Sequence, residues 1–329
     1  GTAVGAEMFQ QIFAHLSGQS FDFFSIKFLL YFLTLGLIPA LFVFKIPLKL
    51  RTLKSEFIAR LQLFALSLSL VILIILMFYP NYAALYRAQL PVKYYSNPIY
   101  FLSSGIDTLI STLSSSNERL NPAGNDAIIV EMDGDRELVI LVLGEAARAD
   151  RFSLNGYSRK TNPMLEQENL ISFKDFSACS ASTSTSISCI FSSQANQNTI
   201  FNTKISANLI DVMNYAGVKI LWRDNNKRSL KFASKISYQN FRSSDQNTIC
   251  DIECRDEGML VGLQEYIEAQ KSGDIFIVLH QIGSQGPAYY KRYPDSFEVF
   301  TPACKTSQLV DCTQQEIDNA YDNSILYTD

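Results

Sequence analysis

The sequence predicts an α/β fold, a mostly parallel sheet with helices on both faces, preceded by transmembrane helices. Three observations carry this expectation. Two long uncharged apolar runs stand near the start of the chain, and from about residue 136 apolar runs of strand length alternate with helical stretches. Those strand-length runs are continuous in apolar character, as in strands covered on both faces.

The first element is the uncharged run from Phe28 to Phe44, and the second runs from Leu61 to Tyr79. Each approaches the roughly 20 apolar residues that cross a bilayer. Between them lies KIPLKLRTLKSEFIAR, where Lys45, Lys49, Arg51, Lys54 and Arg60 face one acid, Glu56. Short basic loops stay on the cytoplasmic side, so both flanks, and everything after Tyr79, belong across the membrane. The cysteines agree with that compartment. All six lie beyond residue 178 in close pairs, Cys179 with Cys189, Cys250 with Cys254 and Cys304 with Cys312. Such pairs suit disulfides in an oxidising environment; a zinc cluster is the alternative use, though none of them forms a CxxC.

The organisation follows: residues 1–80 form a membrane region with spans at about 26–44 and 61–79; 81–126 form an interfacial aromatic segment and linker; 127–329 form a soluble domain. Tyr and Phe in FYPNYAALYRAQLPVKYYSNPIYFLSS suit the bilayer surface, and SSSNERLNPAGND has linker composition. The ends suggest a fragment, because the first residue is Gly1 and QQEIDNAYDNSILYTD reads as a helix without a C-terminal cap.

In the soluble part, Leu138 to Leu143, Val218 to Trp222 and Ile275 to Leu279 read as buried strands, and EGMLVGLQEYIEAQKSG as a helix between two of them. Polar residues follow each strand: Gly144 and Glu145; Arg223, Asp224 and Asn225; His280 and Gln281. Ligands of open α/β sheets bind beyond the carboxyl ends of strands, so three such clusters point to one cleft. Glu145 is there either a metal ligand or an acid that opens the next segment. His280 is either a structural residue or a ligand. The stretch CSASTSTSISC brackets nine residues, seven of them Ser or Thr, between two cysteines. It is either a solvated linker or a ring-restrained loop that presents a hydroxyl at a helix start. Net charge of −4 and the lack of a basic patch in the soluble part exclude a nucleic-acid binder.

The segments GEAARADRFSLNGYSRKTNP, FSACSASTSTSISCIFS, ILWRDNN, CRDEGMLVGL, LHQIGSQGPAYYKRYP and NAYDNSILYTD occur in this order. Together they resemble the bacterial inner-membrane phosphoethanolamine transferases that modify lipid A, the group that includes the mobile colistin-resistance enzymes. The resemblance implies an alkaline-phosphatase/sulfatase-like catalytic domain in the periplasm, anchored in the inner membrane by several helices and holding zinc. It implies transfer of phosphoethanolamine from phosphatidylethanolamine to lipid A through an enzyme threonine. The nucleophile, four residues after the first cysteine of the ring, is Thr183, and Glu145 stands at the position of a metal-binding glutamate. The three cysteine pairs match the family's periplasmic disulfides.

The chain also departs from the family pattern. Gln285, in GSQGPAYY, replaces a histidine that contacts the phosphoethanolamine group, and it cannot carry charge or protonate a leaving group. Lys231 matches a substrate-binding lysine after WRDNN with a shift of one residue. Thr2 and Glu7 resemble the lipid-binding segment on the outer side. The family's Asp-His metal pair and a further histidine fall beyond Asp329, and its first membrane helices before Gly1. The expectation is therefore a fragment lacking both ends, with part of the metal site. Competing readings are a membrane-tethered remnant that binds lipid headgroups without turnover, and a related phosphoglycerol transferase or sulfatase.

Overall fold

Alternate residues of one strand, Ile275–His280, face opposite ways, and this organises the soluble part of the molecule. Phe276 and Val278 enter one apolar cluster with Leu143, Ile187, Phe191, Ile210, Ile220 and Trp222. Ile275, Ile277 and Leu279 enter a second with Leu221, Phe241, Met259, Leu263 and Ile267. The period of two in a pleated strand makes both faces apolar, so helices cover both. A computed structural model of the chain describes residues 26–46, 52–78, 99–114, 124–130, 135–173, 175–179, 183–192, 208–226 and 236–329. The chain divides into two units, Gly1–Ser116 and Asn117–Asp329.

In the first unit, α1 (Ile26–Tyr31), a π-helical turn (Phe32–Leu37) and α2 (Ile38–Lys45) follow one another without a break. The wide turn has a local cause. Pro39 lacks an N–H and its ring crowds the carbonyl four residues back, and Ile38 N–H reaches Leu33 O, five residues back. Next comes α3 (Leu53–Met77), about 37 Å long at 1.5 Å per residue. It begins at Leu53 rather than near Leu61, because LKSEFIAR is made of good helix formers and Glu56 pairs with Arg60 one turn on at 3.2 Å. Ser67 and Ser69 donate to Phe64 O and Ala65 O, which satisfies both hydroxyls within the helix. Among the described residues Lys54–Met77 is the one helix long and apolar enough to cross a membrane; Leu29–Lys45 is apolar but shorter.

A further helix, α4 (Ile99–Ser114), lies where the sequence suggested only an interfacial segment. Leu102, Ile106, Leu109 and Ile110 recur at helical spacing, a signal that the neighbouring tyrosines had obscured. The stretch 1–24 and most of the aromatic stretch, 79–98, lie outside the described residues.

In the second unit, β1 (Leu138–Leu143), β2 (Lys219–Asp224), β3 (Ser237–Asn240) and β4 (Ile275–His280) form one parallel sheet in the order β1-β4-β2-β3. Two expected strands end later than the apolar runs implied, so Arg223, Asp224 and His280 are strand residues. β3 was not expected, because SYQN has no apolar run; among the described residues it pairs with β2 alone. β1 also departs from the buried strand expected. It pairs with β4 on one side, among the described residues no strand pairs with its other edge, and Val139 and Val142 are 49% and 51% exposed.

Helices α5 (Thr183–Ile190) and α6 (Leu209–Tyr215) cover the first face of the sheet through Ile187 and Ile210. Asn208 and Asp211 cap α6 reciprocally. The second face is covered by α7 (Leu263–Ala269) through Leu263 and Ile267. The single helix expected over EGMLVGLQEYIEAQKSG is in fact broken. A 3-10 segment, Asp256–Leu260, ends before Gly262, whose left-handed backbone (φ 67°) starts α7.

The last helix, α8 (Gln314–Thr328), is opened by a capping box between Thr313 and Glu316 and buries a polar face. Asp322, with no exposed surface, accepts from Arg151, Arg159 and Tyr157 at 3.3, 2.8 and 2.7 Å. Asn323 accepts from Val299 and Phe300 N–H and donates to Phe300 O. The Asp322 bonds tie α8 to the segment that follows β1, and the Asn323 bonds tie it to residues 299–300. Removing one partner of a buried ion pair leaves uncompensated charge, so Asp322→Ala is expected to cost about 3 kcal/mol. Denaturant unfolding followed by Trp222, the chain's one tryptophan, measures it; an unchanged midpoint would mean that both arginines find water.

Candidate functional site

The ladder between β1 and β4 continues one step past the strands, where Gln281 N–H donates to Leu143 O at 3.0 Å. Gly144 and Glu145 therefore leave the sheet at its carboxyl edge. Ala146 then takes a left-handed backbone, φ 53°, the one non-glycine residue with positive φ among those described. Such a conformation costs on the order of 1 to 3 kcal/mol and persists only where the surroundings hold it.

The surroundings hold it from two sides. Ser284 N–H donates to Glu145 O at 3.0 Å, from a turn whose Gly283 also has positive φ, 51°. A Cβ on Gly283 would stand 2.7 Å from Glu145 O and 3.0 Å from its nitrogen, so only glycine allows this approach. That turn is in turn fixed by Asp256, whose carboxylate accepts from Ile282 N–H, Gly283 N–H and Asn225 Nδ2 at 2.9, 2.9 and 2.8 Å. Burial pushes the Asp256 carboxyl up from the usual carboxylate range, and these three donors act against that. On the other side, Tyr321 of α8 donates its hydroxyl to Ala146 O at 2.6 Å and accepts Arg148 N–H at 2.8 Å. Burial pushes the Tyr321 hydroxyl up to about 12, so it remains a donor at neutral pH.

Thr183 is the first residue of α5, and its Oγ1 donates to Glu145 Oε2 at 2.9 Å. The helix is seated by Ile187 and Phe191 in the core and by the Cys179–Cys189 disulfide. Asn226, just beyond β2 and buried, donates its amide to the same Oε2 at 3.3 Å and to Gln281 O at 2.8 Å. The ends of β1, β2 and β4 thus meet at one carboxylate. A hydroxyl and an amide point at it.

Several expected residues stand elsewhere. His280 is a buried structural residue: its Nδ1 lies 3.2 Å from Asp224 Oδ1 and its ring packs edge-on against Trp222. Arg223 turns away from the cleft, donating to Met259 O, Val261 O and Gln239 Oε1. Gln285 is held by its backbone, its carbonyl accepting from Arg292 Nε at 2.6 Å, and no hydrogen bond joins its side chain to Glu145 or Thr183. Cys250 is bonded to Cys254 and Cys304 to Cys312. Lys231 and Glu7, like Thr2, lie outside the described residues. Asn226, Asp256 and Tyr321 were not singled out from the sequence, although Asn226 falls in the WRDNN stretch where a strand-end residue was expected.

Zinc takes four ligands in most sites, commonly from carboxylate, imidazole and thiolate groups. The Glu145 carboxylate and Thr183 hydroxyl have suitable oxygen chemistry and are adjacent, but they are two donors. Among the described residues no cluster of three or more His, Cys, Asp or Glu side chains could hold a metal ion. The pair fits as part of a zinc site and is not a whole one.

The chain is similar to several known proteins. Residues 137–329 match the sulfatase family model, and residues 1–113 match the model described as phosphoethanolamine transferase EptA/EptB. Phosphatidylethanolamine transferases Mcr-2 and Mcr-1 of Escherichia coli are 35% and 34% identical over 100% of this chain, which covers 64% and 63% of their lengths. Phosphoethanolamine transferase EptA of Salmonella typhimurium is 36% identical over 82% of this chain and 50% of its own. Among solved structures, the integral membrane protein lipooligosaccharide phosphoethanolamine transferase A from Neisseria meningitidis matches with a TM-score of 0.89 at 28% identity, over 99% of this chain and 62% of that one. The chain thus spans less than two thirds of the length of these relatives.

The packing of Gly283 on Glu145 is open to test. Gly283→Ala adds a methyl group against backbone and strains a left-handed residue, so a loss of about 2 kcal/mol is expected. Thermal unfolding with the disulfides intact measures it, and an unchanged Tm would show that the turn has room.

Proposed function

The chain belongs to the sulfatase family, and we propose that it is one of the phosphoethanolamine transferases and moves phosphoethanolamine from phosphatidylethanolamine to lipid A through a covalent intermediate on Thr183. The observation that carries this reading is the 2.9 Å hydrogen bond from Thr183 Oγ1 to Glu145 Oε2 at the carboxyl edge of the sheet. An unassisted threonine is a poor nucleophile at neutral pH, and a hydroxyl already bonded to a carboxylate is not unassisted.

In the first step Thr183 Oγ1 attacks the phosphorus of phosphatidylethanolamine. The hydroxyl proton already lies on the line to Glu145 Oε2, so that carboxylate is positioned to take it as the new P–O bond forms. The bond to the diacylglycerol oxygen breaks, and that oxygen leaves with the proton that Glu145 took. In the second step a phosphate hydroxyl of lipid A attacks the same phosphorus, its proton passes to Glu145, and Thr183 Oγ1 leaves and takes that proton back. Asn226 keeps Glu145 facing the hydroxyl in both steps. Dividing the transfer in two means that both lipids need not be bound together. A zinc ion held by Glu145, Thr183 and further ligands would lower the hydroxyl's pKa and offset charge on the phosphoryl oxygens.

The setting is consistent with this chemistry. We place residues 1–80 in the inner membrane as a multi-pass anchor, with α3 as one span and the α1–α2 stretch as another. Residues 127–329 form the catalytic domain, in the periplasm, where three disulfides persist. Lys231, Gln285 and Glu7 are assigned to substrate binding by position in the chain.

Two measurements test the reading. Incubation with phosphatidylethanolamine radiolabelled in the ethanolamine is expected to label the protein, to fail with Thr183→Ala and to persist with Thr183→Ser. Label that survives Thr183→Ala would overturn the nucleophile assignment, and no label on any form would favour a headgroup-binding remnant. Label taken instead from phosphatidylglycerol would favour a phosphoglycerol transferase. Separately, Gln285→His restores a group that can protonate a leaving oxygen, and a rise of about tenfold in turnover is expected in a transfer assay.

A further inference from the structure

We propose that Tyr321 is a positioning residue for the Thr183–Glu145 pair: by bridging Ala146 O and Arg148 N–H, its hydroxyl holds the left-handed turn that aims the Glu145 carboxylate at Thr183. The proposal rests on the reading of Thr183 and Glu145 as the reacting pair. Its evidence is geometric and independent of that reading.

Glu145 is followed by the one strained non-glycine residue described, Ala146 at φ 53°. An alanine left to itself would relax to negative φ and swing the preceding side chain away from its present direction. The two bonds to Tyr321, at 2.6 and 2.8 Å, close residues 146–148 around one hydroxyl. They oppose that relaxation. The hydroxyl is itself immobile: Tyr321 is buried on α8, its ring meets Tyr289 edge-on at 5.2 Å, and its neighbour Asp322 is locked by Arg151, Arg159 and Tyr157. Helix α8 therefore acts as a rigid support under the turn. Ser284 N–H holds Glu145 O from the opposite side, but it leaves the Ala146 carbonyl to Tyr321.

The same contact reaches a second part of the site. The Tyr289 hydroxyl sits so close to Gly286 that a Cβ there would meet it at 2.7 Å. Tyr321 therefore meets edge-on the residue that packs against the Gln285–Gly286 segment. One side chain on α8 thus supports both the carboxylate turn and the segment assigned to the substrate headgroup.

The test uses Tyr321→Phe, which removes only the hydroxyl, and the double variant Tyr321→Phe/Ala146→Gly, in which glycine takes the left-handed backbone without strain. Crystal structures give the Thr183 Oγ1 to Glu145 Oε2 distance, and transfer from phosphatidylethanolamine in detergent gives kcat and KM. In Tyr321→Phe the hydrogen bond is expected to break and kcat to fall about 10- to 100-fold with KM little changed, as for a small misplacement of a reacting group. The double variant is expected to regain the contact and most of kcat. An unchanged distance in Tyr321→Phe overturns the proposal, and so does a loss that Ala146→Gly does not restore, since a merely structural role is not rescued at Ala146. If Tyr321→Phe does not fold, Arg148→Pro deletes the N–H given to the hydroxyl at a backbone φ of −85°, at the edge of proline's range, and the same distance decides. If the unsubstituted protein transfers nothing, the function proposed above falls, whereas the distances still decide the role of Tyr321.

Discussion

A carboxylate held against a threonine hydroxyl is the contact on which the described site depends. Glu145 and Thr183 are 38 residues apart, on the end of an edge strand and the start of a short helix, and neither element is rigid alone. The sheet sets the first by pairing β1 with β4, and the core sets the second through Ile187 and Phe191. Every other feature of the site holds one of these two side chains in place. Asn226 holds the carboxylate, Gly283 and Ser284 hold its backbone, Asp256 holds their turn, and the Cys179–Cys189 bond closes the loop of Thr183.

This arrangement concentrates polar groups in places where apolar ones would stabilise the fold more simply. Helix α8 buries Asn319, Asp322, Asn323 and Ser324, all hydrogen-bonded. Buried polar networks add direction that apolar packing lacks, because a hydrogen bond fixes angle as well as distance. The segment from Glu145 to Asn162 has little regular structure beyond single 3-10 turns, so α8 takes the place that a sheet ladder would have. Its bonds to Arg151, Tyr157 and Arg159 position a loop that has no core of its own.

Helix α3 obeys a different constraint. In α3 the serine hydroxyls bond to carbonyls of the preceding turn, and the apolar side chains face outward, with Leu66 and Leu76 at 69% and 67% exposed. With lipid as the surrounding phase, a helix must satisfy its own backbone and may leave every apolar face open. Local rules suffice for such an element, which is why its existence was legible in composition alone. Its start was not, because the basic and acidic residues of LKSEFIAR look like loop until their one-turn spacing is noticed.

The sequence by itself determined the apolar runs of β2 and β4, the long span of α3, the cysteine pairs and the polar residues at three strand ends. It did so because periodicity, composition and spacing are properties of neighbouring residues. Family resemblance added which of seven hydroxyls in CSASTSTSISC to consider. Only the tertiary structure decided that His280 turns to Asp224, that Arg223 leaves the cleft, and that Asn226 and Tyr321 converge on the Glu145 turn from 81 and 175 residues away. Contacts at such separations depend on how strands are ordered and helices laid over them, and no local pattern encodes that order. The same reason explains β3 and the exposed edge of β1: pairing partners, not the strand's own residues, set how much of it is covered.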